Sequence, residues 1–524
     1  MKRRLGLGLG ILALFAAGVV VAQVNDPKKE GRTSTSKLQL GSGRDLNPAG
    51  KMTQLGNFPA GGAITTNGRF AWTLSAGRGK NDIRIVRVET GKKCREGRRG
   101  RRCRRRQQRK VGRIVQTIPM PGVNGGIAMA PDGRTAYVSG TPESSTDYDK
   151  PPEGTPGIEG DVIHVFRYKA KRGTATRDGV IEVPAPDDTP PPQDFPPTRT
   201  DQVSWPRDLA ISPDGKSLLA ALNLAHSAAI IDTESKSVEY VKTGRYPYGA
   251  AITRDGEKGL ISNEADGTVS VIDLASASEE KEITVGPHLS HPEGMATDPK
   301  ADRVYVAVTH QDLVQVINTQ TMETERALSV ERPQGLGTAP VAVSVTPNGR
   351  RLIVSNSGED ALAVFALPGA AAKSSRLEQR ADAVLQHEGR RNVEQAEIER
   401  EEAAEIYGEE AEEEVEAEKA ARPVQRKAKD WALIGRVPTA SYPTWAGATR
   451  RSLVWITAEG AGSGPNSLNP GETVPRDPGS STGGSPESFW FKYLPSYTFG
   501  RSGVLAFPSD KRLRKLTPRA SRQI

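Results

Sequence analysis

The chain has 524 residues, with 36% apolar content and a formal net charge of +9. That length and apolar share are enough for a large core, and 5% aromatic content is no bar to an all-β fold. The charge excludes a generally basic surface: residues 92–110 hold twelve Lys/Arg against one Glu, so the rest of the chain is slightly acidic.

The start, MKRRLGLGLGILALFAAGVVVAQV, sets a basic head before eighteen apolar or Gly residues, with small residues at Val20 and Ala22. Residues 1–22 read as a secretory signal cleaved near Ala22–Gln23. An uncleaved anchor is the alternative, weakened by four glycines in the run. No later stretch is apolar enough to cross a membrane. The mature protein is therefore expected to be secreted or held in the cell envelope, with residues 23–50 as an extended lead-in.

From there a four-strand unit returns seven times. Its first copy is 62–69, 70–76, 82–89 and 113–120; its second is 126–133, 135–140, 161–168 and 179–185. The third and fourth are the cleanest: DLAISPDGKSLLAALN (208–223) with 228–244, then GAAITRDGEKGLISNE (249–264) with 269–286. Gly215 and Gly256 hold the same turn, 41 residues apart. The fifth is 294–299, 303–309, 313–319 and 323–330; the sixth is 341–349, 351–357, 361–368 and 431–438. The seventh, 445–450, 452–459 and 503–509, lacks a fourth strand, which KMTQLGNFP (51–59) supplies from the other end. A period of about 40–45 residues with four strands is that of a β-propeller blade. The fold expected is all-β: a seven-bladed β-propeller over residues 51–510, closed by an N-terminal strand, with a basic tail at 511–524.

Asn67-Gly68, Asp132-Gly133, Asp214-Gly215, Asp255-Gly256 and Asn348-Gly349 mark the hairpins between strands a and b, because these residues tolerate positive φ. In a propeller the a–b and c–d loops share one face and the b–c and d–a loops the other. The loops 141–160, 184–206 and 460–502 fall on the second face. Two c–d insertions fall on the first: the Arg-rich loop at 92–110 and a Glu-rich stretch at 373–429, expected to be a solvated helix or unfolded. Cys94 and Cys103 lie within the Arg-rich loop, and in an oxidising compartment they are expected to form a local disulfide. Arg98, Arg99, Arg101, Arg102, Arg104, Arg105 and Arg106 make that loop a candidate polyanion contact. It has no aromatic for base stacking, and pairing with the acidic insertion or plain solvation are its alternatives.

Candidate ligand-binding groups gather on the second face, at the mouth of the central channel. His288, His291 and Glu293 lie on the connection into the fifth blade, while Asn223, His226, Asn263, Glu264 and His310 follow b strands. Loop hydrogen bonding is the plain reading of this set, with metal binding or acid–base chemistry as the alternative. His164 and His387 read as structural or solvent-facing. No metal or cofactor is assigned, and no nucleophile triad, phosphate loop or paired-carboxylate motif rises above chance.

AYVSG, VYVAVT, LIVSNSG and GTVSVIDL resemble the YVTN-repeat, or YncE-like, β-propellers. Longer segments, among them GNFPAGGAITTNGRFAWTLSAGRGKNDIRIV (56–86), VKTGRYPYGAAI (241–252), VGPHLSHPEGMA (285–296) and RVPTASYPTWAGA (436–448), are similar to the propeller half of exported actinobacterial proteins. In those proteins a phosphoesterase of the alkaline phosphatase family follows the propeller. The chain stops at Ile524, about where that domain would begin, so the resemblance does not carry the phosphatase activity over. The reading expected is an exported binding or scaffolding module, monomeric, contacting a protein or cell-envelope polymer and working with a separately encoded hydrolase. A rival reading is an enzyme with its site at the channel mouth, since lactonases share this architecture. A third is a polyanion- or DNA-binding propeller.

Overall fold

In a computed structural model the described residues are 33–34, 38–39, 45–77, 81–89, 103, 105, 107–141, 157, 160–187, 203–332, 335, 337–368, 430–460 and 499–523. They form a seven-bladed β-propeller. Blades 1 to 6 are four-stranded antiparallel sheets with their strands in chain order, a to d, from the channel outward. Blade 7 takes strands a to c from Ser441–Ala448, Ser452–Gly460 and Phe499–Ala506. Its fourth strand is Lys51–Asn57, which pairs Met52 with Gly503 and Thr53 with Ser502. The ring thus closes with the N-terminal strand named from sequence, and the two-residue strand Thr33–Ser34 adds a fifth outside it. Closure matters because an open ring would leave the apolar faces of two blades uncovered.

The hairpin chemistry is local and repeats. Gly68, Gly133, Gly215, Gly256 and Gly349 all adopt positive φ, from 67° to 87°, where a Cβ is disfavoured. Ahead of each glycine an Asn or Asp side chain accepts a backbone N–H two residues on: Arg69, Arg134, Lys216, Glu257 and Arg350 donate. In four of the five turns a hydroxyl two residues earlier (Thr65, Ser212, Thr253 or Thr346) donates to the same side chain. Blade 5 lacks the glycine and uses Asp298, which accepts from Lys300 and Ala301.

Strand b is buried throughout in Phe70–Ser75 and Thr135–Gly140, because neighbouring blades cover both its faces; such strands read as apolar runs rather than alternations. Outer strands read differently. Ser278–Thr284 and Glu323–Ser329 bury one residue each, Ile283 and Leu328. Among the described residues the buried apolar side chains fall into seven clusters, one at each seam between blades. The core is therefore a ring of sandwiches, and no single blade encloses it.

Two features differ from the sequence reading. Strand d of blade 2, expected at 179–185, is Thr174–Glu182, because a bulge skips Asp178 between the Val165–Gly179 and Phe166–Arg177 pairs. The basic tail is a helix, α1 (Asp510–Ser521), whose Leu513, Leu516 and Ala520 are buried against blade 6. Arg512 N–H donates to Ser509 Oγ as its N-cap. Arg519 near its end donates to the carbonyls of Asn47 and Pro48. Gln523 donates to those of Asp360 and Thr439, and accepts from Asn47 N–H at 2.6 Å. The two ends of the described chain are thus tied together beside the closing strand.

The 373–429 insertion and Arg98, Arg99, Arg101, Arg102, Arg104 and Arg106 lie outside the described residues. So does Cys94, and with it the expected disulfide to Cys103. The far end of the Arg-rich loop is anchored, with Lys51 Nζ and Thr53 Oγ1 donating to the Gln108 and Gly112 carbonyls. No helix among the described residues is long and apolar enough to cross a membrane.

Candidate functional site at the channel mouth

Five of the innermost strands open on proline: Pro59, Pro206, Pro247, Pro292 and Pro340. Proline has no N–H to give to the ladder, but its carbonyl is used. Asn124 Nδ2 donates to Pro206 O, Asn223 Nδ2 to Pro247 O, Thr309 Oγ1 to Pro340 O and Thr444 Oγ1 to Pro59 O, joining one blade to the next. The residue before each proline turns the chain inward with positive φ: Phe58, Trp205, Tyr246, His291 and Ala339, and likewise Tyr442 before Pro443. None of these is glycine, so each stores backbone strain of about 1–3 kcal/mol, a cost typical of functional sites.

The residue after the proline lines the channel in blades 3, 4 and 5, where Arg207, Tyr248 and Glu293 follow one another. Arg207 Nη2 donates to Tyr248 Oη at 2.5 Å, with its guanidinium 4.2 Å from the centre of the Tyr248 ring. The Tyr248 hydroxyl and Thr309 lie beside the Glu293 carboxyl, where both favour its charged form. Arg207 and Tyr248 keep some water-accessible surface, as channel-lining groups do, although protein surrounds both. Glu293 is 8% exposed. Burial, reinforced by the charge of Glu264, pushes its carboxyl up to about 8. Burial also raises the Tyr248 hydroxyl, which stays protonated.

Above this floor, His291 Nδ1 lies 2.8 Å from Glu264 Oε1. The His310 ring sits on His291, tilted by 37° with centroids 4.0 Å apart. His310 Nδ1 is 3.0 Å from the Leu289 carbonyl, an acceptor, so Nδ1 carries the proton and Nε2 is free to accept. One donor atom each from Glu264, His291 and Glu293 lies within 4.8 Å of the others. Leu289 (55% exposed) and Tyr442 (37%), with Phe58 against Tyr442, give the same face an apolar rim.

Of the eight mouth residues singled out from sequence, the structure brings Glu264, His291, Glu293 and His310 together. The other four are engaged elsewhere. Asn223 joins blades through Pro247. His226 accepts Tyr246 N–H and packs edge-on against its ring, with burial lowering its pKa. Asn263 is fully buried and donates to Thr268 and Ser270. His288 is an exposed neighbour of the Arg245–Asp266 ion pair. Arg207 and Tyr248 were not singled out, yet a signal was present: WPRD, YPYG and HPEG (205–208, 246–249 and 291–294) are one motif repeated at blade spacing.

A family model described as lactonase, 7-bladed beta-propeller matches residues 258–405, a span that holds Glu264, His291, Glu293 and His310. None of the curated proteins matches the chain. Among solved structures, the chain is similar to a candidate 6-phosphogluconolactonase from Bacteroides fragilis, at 14% identity and a TM-score of 0.43, covering 60% of this chain and 82% of that one. A second such protein, from Bacteroides uniformis, gives 14% identity and a TM-score of 0.42 over the same shares. Hydrazine synthase from Kuenenia stuttgartiensis gives 13% and 0.35, covering 65% of this chain and 93% of that one.

Proposed function

We propose that the channel mouth is the active site of a hydrolase acting on a small ester or lactone. The observation that carries this reading is the convergence of Glu264, His291 and Glu293 above the Arg207–Tyr248 pair. Arg207 and Tyr248 are fixed donors at the channel floor, suited to a carbonyl or carboxylate oxygen whose charge grows during acyl transfer. His291, braced by Glu264, is placed to take a proton from water. Glu293, kept protonated near neutral pH, is placed to give one to the leaving oxygen. The match of the lactonase family model to the stretch bearing these groups favours this enzyme reading over a scaffolding role.

A panel of aliphatic and sugar-derived lactones and p-nitrophenyl esters, followed by acid release, tests the proposal. Turnover should fall at least about a hundredfold in His291→Ala and in Arg207→Met, and stay unchanged in His288→Ala. No turnover of any member, or turnover indifferent to His291 and Arg207, would overturn it.

The second reading is an exported binding module, and the apolar rim at Leu289, Tyr442 and Phe58 on this face favours it. Its elements are removal of a signal peptide, the Cys94–Cys103 disulfide, YncE-like ancestry, and a protein, cell-envelope or polyanionic partner. A pull-down from envelope extract that fails to retain any component through this rim, judged by Leu289→Asp, would remove it.

A further inference from the structure

We propose that Glu264, His291 and Glu293 bind a first-row divalent cation of the Zn2+ or Mn2+ type. The inference deepens the reading above, resting on these three groups being the working end of that site. The protein accommodates its other buried carboxylates in two ways. Asp82 is met by Arg84 at 2.7 Å and Glu359 is paired with Arg436, while Asp298 and Asp312 each accept three hydrogen bonds from backbone N–H and hydroxyl groups. Among the described residues, neither Glu264 nor Glu293 has a Lys or Arg within ion-pair distance, although Glu293 is nine-tenths buried. A second carboxylate has been placed beside it instead. Two carboxylates facing one another at partial burial cannot both stay ionised unless a cation sits between them; without one, a proton must be held in its place.

Geometry and donor chemistry then select the charge. Three ligands around an ion at about 2.1 Å stand about 3.4 Å apart in tetrahedral geometry. The His291–Glu264 separation of 2.8 Å and the 4.8 Å ceiling for the set bracket that value, so small side-chain rotations suffice. One nitrogen and two carboxylate oxygens suit Zn2+ or Mn2+, whereas Ca2+ takes six to eight oxygens. Three protein ligands leave positions open for water and substrate, as catalytic sites do. His310 can enter only through Nε2, because Nδ1 is committed to Leu289. When bound, the cation would turn His291 and Glu293 from base and acid into ligands and would itself supply the polarisation of water, while Arg207 and Tyr248 keep their oxyanion role.

The test needs no substrate. Chelator-stripped, full-length protein is titrated calorimetrically with ZnCl2 and with MnCl2, and with Co2+ while its visible d–d bands are followed. One equivalent should bind to the wild type and to His288→Ala, and affinity should drop at least about a hundredfold in Glu293→Gln and Glu264→Gln. Both substitutions are near-isosteric, and circular dichroism with the thermal midpoint verifies the fold of each. Absence of saturable binding, or binding that survives both substitutions, overturns the cation site and leaves the hydrolase reading on its acid–base footing. One-site binding without turnover of any ester or lactone supports the cation site while ending the hydrolase reading.

Discussion

His164 should make this protein acid-labile, by an amount that can be worked out. It sits mid-strand in blade 2 between Val138 and Val180, 2% exposed, with Nε2 lacking a hydrogen-bond partner. Burial, with the charge of Arg177 added, depresses its pKa from 6.5 to about 3. Between those values the unfolded chain binds a proton that the folded protein refuses, so stability is complete above pH 6.5 and falls as the pH drops toward 3. The ceiling is the 3.5-unit shift at 1.36 kcal/mol per unit, about 5 kcal/mol. At pH 5 the window traversed is 1.5 units, or about 2 kcal/mol. His164→Phe keeps a ring of similar size without a titrating group. Its packing penalty is the same at both pH values and cancels in the difference. Urea unfolding at pH 7.5 and pH 5.0 should show the wild type losing about 2 kcal/mol more than the variant across that interval. Equal losses would refute the reasoning, since His164 would then be free to protonate in place.

Gly503 should not tolerate even a methyl group. A Cβ there would lie 2.1 Å from the ring of Trp455, which is fully buried and donates Nε1–H to the Ala49 carbonyl. Gly503→Ala should cost roughly 1–3 kcal/mol or more, read as a lowered thermal midpoint, with faster proteolysis at the closing strand. The buried Glu359–Arg436 pair is held further by Arg436 donating to the Val330 and Glu331 carbonyls and by Asn356 donating to Glu359. Glu359→Ala alone should cost about 3–5 kcal/mol by stranding the guanidinium. Glu359→Leu with Arg436→Met should recover much of that loss in chemical denaturation, and no recovery would argue against charge stranding.

The blade plan was legible because it rests on local chemistry. Asx–Gly turns, apolar b strands and polar outer strands each announce themselves within ten residues, and Lys51–Asn57 was recognisable as the unpaired fourth strand by arithmetic on the repeat. Boundaries slipped where the backbone departs from ideal pairing, as at the bulge opposite Asp178. Helix α1 escaped because its three buried residues form a sparse apolar stripe among many basic side chains, and its stability comes from docking on blade 6. At the mouth, type and position singled out His291, Glu293 and His310. They could not separate these from His288, three residues away, because the left-handed turn at His291 decides which imidazole faces the channel.

The sequence by itself determined the repeat, its seven blades, their hairpins and the partner of the last blade, since turn preference and strand periodicity act over a few residues. Only the tertiary structure decided that Arg207, Tyr248, Glu264, His291 and Glu293, spread over 87 positions and three blades, meet at one place. The reason is geometric. A channel is made by equivalent positions of successive blades, and which side chains share it follows only once the ring is closed.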